Sequence, residues 1–325
     1  MKQSLGLLAI VFLLLSCDEP KKGPRLLADS SGRINTVTVV MPKKYWNGAL
    51  GTIVKKALEK EYEGLPLVEP QFTLNYLPPK LFDGFTKHSR NVILFVKDTA
   101  NQINLYQDLY AKPQFVAQIR GEDADSQVFL FSENEDLIAR TIIENERKEK
   151  RRRMLKSPAK STPFIEKFGF RLIYPTAYKT FKTDTNFVWI QKEIPKGHLN
   201  LIGYKLSQGM SSEMMSRKTI QIRDSVGKKH IPGRLSKSYM ATEKAYRPYF
   251  YKTRLKNREN IITKGMWSVA NDYMAGPFVQ YALKEKNSNN WVVLEGFAFA
   301  PSVNKREYMF ELETIIRSIN WPKKK

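Results

Sequence analysis

The sequence predicts an α+β protein of two modules, each a largely antiparallel sheet with helices packed on one face. Three observations lead there. Apolar strand-like runs alternate with segments of helical spacing, and the strand pattern restarts after Ser157-Pro158. The 325 residues, 42% hydrophobic and 26% charged, suffice for about two globular domains.

The chain opens with an export signal. Lys2 is basic, and Leu5 to Leu15 is an apolar run of 11 residues. That suits a signal-peptide core and falls short of the roughly 20 residues a spanning helix needs. Leu14-Leu15-Ser16-Cys17 then places a small residue before a cysteine and an aliphatic residue two positions earlier. This resembles the lipobox read by bacterial lipoprotein signal peptidase, with residues 1–16 as the signal peptide and Cys17 as the lipid attachment site. Each buried CH₂ of an acyl chain adds about 0.8 kcal/mol of membrane affinity, so several chains hold firmly. Cys17 is the single cysteine, which excludes disulfides and a cysteine-ligated zinc. Residues 17–34, polar and proline-containing, read as a tether.

Residues 35–158 form the expected first module. TVTVVM (36–41) reads as a buried strand, and Trp46, Leu50, Ile53, Ala57 and Leu58 place a helix over Lys43–Tyr62. Phe72, Leu74 and Tyr76 alternate as in a strand; 91–96 and 127–131 are further apolar runs. Ser132 and Glu135 resemble a capping box opening a helix to about Leu155. Its second part carries acid-then-base pairs, Glu144–Lys148, Glu146–Lys150 and Glu149–Arg153, and reads as solvated.

Residues 159–325 form the expected second, basic module. Strands are predicted at 170–174, 186–190 and 199–204, a helix at 211–228, and antiparallel strands near 261–272, 277–284 and 291–299. Tyr308, Leu312, Ile315, Ile316 and Ile319 put a terminal helix on one apolar stripe. Phe72-x-Leu74-x-Tyr76 echoes Phe170-x-Leu172-x-Tyr174, each followed by proline, which suggests related modules. The order of elements in the second module resembles the fold of photosystem P-subunit proteins and Mog1-like proteins.

The charge is uneven: 25 basic against 19 acidic residues in 1–160, and 29 against 13 in 161–325. Segment 228–258 holds ten Lys/Arg and one acid, Glu243, interleaved with tyrosines. Lys244, Arg247, Lys252 and Arg254 with Tyr249 and Tyr251 are therefore the candidate anionic-ligand residues, suited to a lipid head group, lipopolysaccharide phosphate or acidic glycan. Export argues against nucleic acid as the partner. The competing reading is a solvated strand pair whose tyrosines enter the core. His88, His198 and His230 stand far apart in no metal-binding spacing, and no nucleotide-binding glycine loop or nucleophile elbow occurs, so no metal, cofactor or catalytic residue is expected. The central carboxylates of the second half are Asp184, Asp224, Asp272, Glu285 and Glu295; a glycosidase needs two of them facing.

Several phrases occur together: Trp46-Asn47-Gly48-Ala49-Leu50-Gly51, Gly64-Leu65-Pro66, Arg90-Asn91, Ile231-Pro232-Gly233, Ser238-Tyr239-Met240, Met266-Trp267, Met274-Ala275-Gly276-Pro277-Phe278, and Glu295-Gly296 with Ala300-Pro301. In these the chain resembles a family of uncharacterised cell-envelope lipoproteins of Bacteroidota, a domain-of-unknown-function family, and departs from it at Ala275, where that family has glycine. The resemblance implies an envelope setting and no activity. The expected protein is thus a non-enzymatic envelope binding or assembly component anchored through Cys17, on the outer membrane and facing periplasm or cell surface. The alternative is a hydrolase or transferase acting on an envelope glycan. Acyl labelling of the wild type and Cys17→Ser should show label and membrane retention lost together in the variant; an unlabelled, soluble wild type would contradict the anchor.

Overall fold

The computed structural model describes residues 26–160, 163–207, 209–286 and 288–322. The signal segment, Cys17 and the start of the tether lie outside the described residues. The end of the expected tether belongs to the body: β1 (Ala28–Asp29) pairs in parallel with a later short strand, and Ile34 is buried.

The first module runs β2 (Thr36–Val40), α1 (Lys43–Trp46), α2 (Ala49–Leu58), β3 (Thr73–Leu77), β4 (Asn91–Lys97), β5 (Gln102–Gln107), β6 (Ala111–Lys112), β7 (Phe115–Gly121) and α3 (Ala124–Met154). Its sheet has the order β3-β2-β4-β7-β5, and only the β5–β7 pair is antiparallel. The expected antiparallel sheet is therefore corrected here to a largely parallel one. The physical reason lies in TVTVV and NVILFV. Strands covered on both faces are apolar throughout rather than alternating, the habit of parallel sheets. Here α2 and α3 cover one face through Leu50, Val54, Phe131, Ile138 and Ile142. Phe82, Tyr106, Leu109 and Tyr110 cover the other.

The helix expected over Lys43–Tyr62 is two helices broken at Asn47-Gly48. Gly51 permits the tight join, since a Cβ there would lie 1.9 Å from the Trp46 carbonyl oxygen. Residues 127–131, an apolar run placed before the expected helix, lie within α3. Asp123 rather than Ser132 caps that helix, accepting from the Ser126 N–H at 2.9 Å. A short apolar run does not distinguish strand from helix; only spacing over longer stretches does, and Phe131, Ile138 and Ile142 share the helical stripe.

The second half of α3 is solvated on one side only. Asn145, Glu146, Glu149 and Met154 are buried, and of the three expected pairs only Glu149–Arg153 forms, at 2.7 Å. Glu146 instead meets Arg90 at 2.7 Å, with 0% and 1% of the two side chains exposed. The Asn35 backbone N–H donates to the same carboxylate at 2.8 Å, as does the Asn91 amide. Arg90 also donates to the carbonyls of Gly32 and Arg33, which fixes the incoming chain.

The second module runs α4 (Pro163–Phe168), β8 (Lys179–Asp184), β9 (Phe187–Ile194), β10 (Gly197–Leu206), α5 (Ser212–His230), β11 (Met240–Thr242), β12 (Tyr249–Leu255), β13 (Arg258–Val269), β14 (Ala275–Lys284), β15 (Trp291–Phe299) and α6 (Arg306–Arg317). Its eight-stranded sheet is antiparallel throughout, ordered β11-β13-β14-β15-β10-β9-β8, with β12 also on β13. The expected helix near 211–228 and the three late strands are present. Helices cover both faces rather than one: α6 and α4 pack on one side, α5 on the other. Residues 170–174 lie against the core as expected, with Phe170, Leu172 and Tyr174 buried, yet they form no strand; Arg171 bridges Asn320. The echo with Phe72–Tyr76, which leads into a parallel sheet, is thus not a structural repeat.

Helix α6 joins the modules. Its stripe of Leu312, Ile315 and Ile316 packs on the second sheet, where Gly296 leaves room for Leu312. Glu69 of the first module accepts from the backbone N–H groups of Lys305 and Arg306 at 2.6 and 3.0 Å, satisfying donors at the start of α6. Glu311 meets Lys150 and Lys192 at 2.6 and 2.7 Å. Glu313 meets Arg147 at 3.1 Å and accepts from the Tyr281 hydroxyl at 2.6 Å. Burial would push the Glu313 carboxyl up, but Lys264, Arg147, Tyr281 and Arg317 together hold it down at about 2.

Removing one partner of a buried pair leaves the other charge uncompensated. Glu146→Ala should therefore cost roughly 3–5 kcal/mol in a urea unfolding experiment. A loss below about 1 kcal/mol, the size of an exposed pair, would contradict this account of Arg90.

Candidate functional site

Helix α5 organises the exposed face of the second module. Ser211 caps it, accepting from the Met214 N–H at 3.2 Å. Met215, Thr219, Arg223 and Gly227 recur at helical spacing and face the sheet. Arg223 ion-pairs with Glu295 at 2.8 Å and lies over the Phe278 ring at 3.8 Å, while the Gln280 amide donates to Thr219 at 2.8 Å. Burial raises the Glu295 carboxyl, opposed by Arg223 and helped by Asp224. Gly227 lets the helix approach β11, since a Cβ there would lie 2.2 Å from the Met240 carbonyl oxygen.

Between α5 and the ends of β9 and β10 runs a groove of about 500 Å³. Its apolar surface comes from Tyr204, Leu206, Met210, Ile222 and Val226; Lys205, Lys218, Lys229 and His230 supply the basic groups, and no carboxylate lines it. Lys205 reaches Glu285 at 3.0 Å outside the groove. The His230 ring stacks on Phe187 at 4.3 Å. Burial, then the charges of Lys182 and Lys229, hold its imidazole below the usual range against Asp184. The groove is therefore cationic through its lysines, with a neutral imidazole at one end near pH 7.

The residues singled out in segment 228–258 divide between two faces. Register pairs Lys252 with Ile261 and Arg254 with Glu259, on the α5 side; both cations line a hollow of about 280 Å³ beside Ser212 and Glu259. Tyr249 and Tyr251 pair with Lys264 and Ile262 on the opposite side. There burial and Glu63 of the first module raise the Tyr251 hydroxyl to about 12. Lys244 and Arg247 are exposed in the connection before β12 and line neither concavity. Sequence reading missed the groove on α5. Its signal is spacing: Lys218, Ile222, Val226 and Lys229 recur on one helical face.

A third, smaller concavity of about 180 Å³ is apolar, walled by Trp189, Met240, Trp267, Val269, Met274 and Phe297. Segments Ile231-Pro232-Gly233, Met240, Trp267 and Met274, distant in sequence, converge on it. The central carboxylates are each engaged, and Asp224 and Glu295 both lie against Arg223, at 3.7 and 2.8 Å. Glu295 is held by Arg223, Asp272 by Arg234, Glu285 by Lys205, Asp224 by Thr242, and Asp184 lies 3.8 Å from His230. Among the described residues no group of three or more His, Cys, Asp or Glu could hold a metal ion.

Residues 157–318 match the family model DUF4837, a domain of unknown function, and residues 30–155 match DUF8532, also a domain of unknown function. The two matches meet at the boundary between the modules. A search of curated proteins found no match. Similar solved structures include a protein of Bacteroides thetaiotaomicron VPI-5482, at 10% identity and TM-score 0.28 over 48% of this chain. This chain spans about half of that protein's length, 46%. The Ran-binding protein Mog1p of Saccharomyces cerevisiae matches at 8% identity and TM-score 0.32, over 47% of this chain and 90% of its own. LpqN of Mycobacterium tuberculosis, described as involved in cell envelope biogenesis, matches at 14% identity and TM-score 0.29, over 50% of this chain and 90% of its own. Likeness of this extent carries no inference about activity. Among the described residues no helix is long and apolar enough to cross a membrane.

The environment of His230 sets a direct test. A proton NMR titration should give it a midpoint below the ordinary 6.5. A midpoint above that value would show that Asp184 outweighs burial and the two lysines.

Proposed function

We propose that the protein is a lipid-anchored component of a bacterial cell envelope, held by acylated Cys17, that binds an anionic amphiphile in the groove along α5. The supporting observation is the composition of that groove: three lysines and an apolar surface with no lining carboxylate. Apolar floor and cationic rim match a ligand with a negatively charged head and a hydrocarbon part, as in an anionic envelope lipid. The anchor places the groove within reach of a membrane surface, where each nearby lysine adds about 1 kcal/mol of attraction to anionic lipid. In this reading the binding role is non-enzymatic and serves envelope assembly or maintenance, on the outer membrane.

Cosedimentation with vesicles tests it, using the mature chain carrying Cys17→Ser so that the anchor does not contribute. Binding should be seen with phosphatidylglycerol vesicles and be much weaker with phosphatidylcholine. Lys218→Ala with Lys229→Ala should weaken it roughly thirtyfold, the equivalent of about 2 kcal/mol. Equal binding to both vesicle types, or an unaffected double variant, would overturn the assignment.

A further inference from the structure

On the other side of the second sheet, where the modules meet, lies a separate polar cleft of about 300 Å³. It is lined by Arg147 and Arg151 of α3, Leu255 and Lys256 at the β12–β13 turn, and Thr314 and Arg317 of α6, with Glu144 as the one carboxylate. Three elements from two modules thus direct four cations at one small volume. Their own partners do not balance them. Glu144 is shared by Arg147 at 2.7 Å and Arg317 at 3.4 Å, and Arg147 also reaches the buried Glu313. Arg151 and Lys256 have no carboxylate partner among the described residues, and the buried Nε of Arg147 has no acceptor.

The backbone builds this arrangement. Lys256 and Asn257 both adopt positive φ, 52° and 60°, which makes the two-residue turn that carries Lys256 over the cleft. Arg147 and Arg151 are four residues apart on α3 and so share one face of it. Like charges this close repel, and four cations against the one lining carboxylate, Glu144, raise the local affinity for an anion. Guanidinium forks suit a tetrahedral oxyanion better than a lone ammonium does.

We propose that this cleft is a binding site for a phosphate monoester, gripped by Arg151 and Lys256 with Arg147 and Arg317 behind them. The doubly charged oxyanion supplies acceptors to Arg151, Lys256 and the unpartnered Nε of Arg147, and the cleft's volume leaves room for the alcohol part of the ester. Because its walls come from both modules, the bound ester also ties α3 to α6. The site stands on the opposite face of the sheet from the α5 groove and does not depend on the reading given to that groove.

Calorimetric titration of the mature chain carrying Cys17→Ser with glycerol phosphate, at constant ionic strength, tests the proposal. Vesicles of phosphatidic acid in phosphatidylcholine form the second arm. Saturable, chloride-resistant binding is expected, weakened about a hundredfold by Arg151→Ala with Lys256→Ala, as expected for losing two charge-assisted contacts. Both positions are at the surface, and circular dichroism of the double variant checks that it is folded. Variant-sensitive binding of glycerol phosphate identifies a soluble ester as sufficient; variant-sensitive binding of the vesicles alone identifies a lipid headgroup. Absence of saturable binding in both arms overturns the proposal, as does binding that the double variant leaves unchanged.

Discussion

Buried carboxylates at the seam between the two modules are the interaction on which the rest of this structure depends. A carboxylate out of water is tolerated only when cations and hydrogen-bond donors surround it. Glu311 and Glu313 on α6 meet that condition with Lys150 and Arg147 of α3 together with Lys192 and Tyr281 of their own module, so each carboxylate draws its partners from both modules. Glu69 completes the seam by accepting from the first backbone N–H groups of α6. The apolar stripe of α6 supplies contact area, while the charges fix where along α3 the helix sits. Arg90 and Glu146 do the same for the incoming chain, which they hold through Gly32, Arg33 and Asn35.

This use of acids shapes the surface. The net charge of +22 already favours cations, and several acids are taken inside: Glu146, Glu149, Glu295, Glu311 and Glu313. Each of them is paired there with one or more cations, so the compositional excess of lysine and arginine stays uncompensated at the exterior. The α5 groove and the cleft at Lys256 are both products of that imbalance, on opposite faces of one sheet. The α5 face is covered by a single helix, and its groove is open. The opposite face is covered by α4, α6 and residues of the first module, and the cleft at Lys256 lies at that seam.

Much of the fold was legible because burial leaves a period in the sequence. The late strands are long apolar runs buried on both faces, and the stripe Leu312, Ile315, Ile316 and Ile319 gave α6 its place. The parallel character of the first sheet was harder, since TVTVV and NVILFV are apolar on both faces and the partner strand cannot be read from them. Residues 127–131 misled because four consecutive apolar positions, Val128 to Phe131, fit either period. Glu146 misled because an acid four residues before a lysine resembles a surface pair; its partner, Arg90, is 56 residues away. Lys252 and Arg254 were found as a basic pair, but Tyr249 and Tyr251 on the same strand necessarily point the other way. The α5 groove escaped because its lysines are joined by helical spacing and by β10, not by a run of charge.

The central claim is that the seam makes two modules one cooperative unit. Differential scanning calorimetry of the mature chain at neutral pH tests it most directly. The account predicts one transition whose calorimetric and van't Hoff enthalpies agree, because breaking the seam exposes unpaired charge on both sides. Two separable transitions, each with the enthalpy of one module, would contradict it.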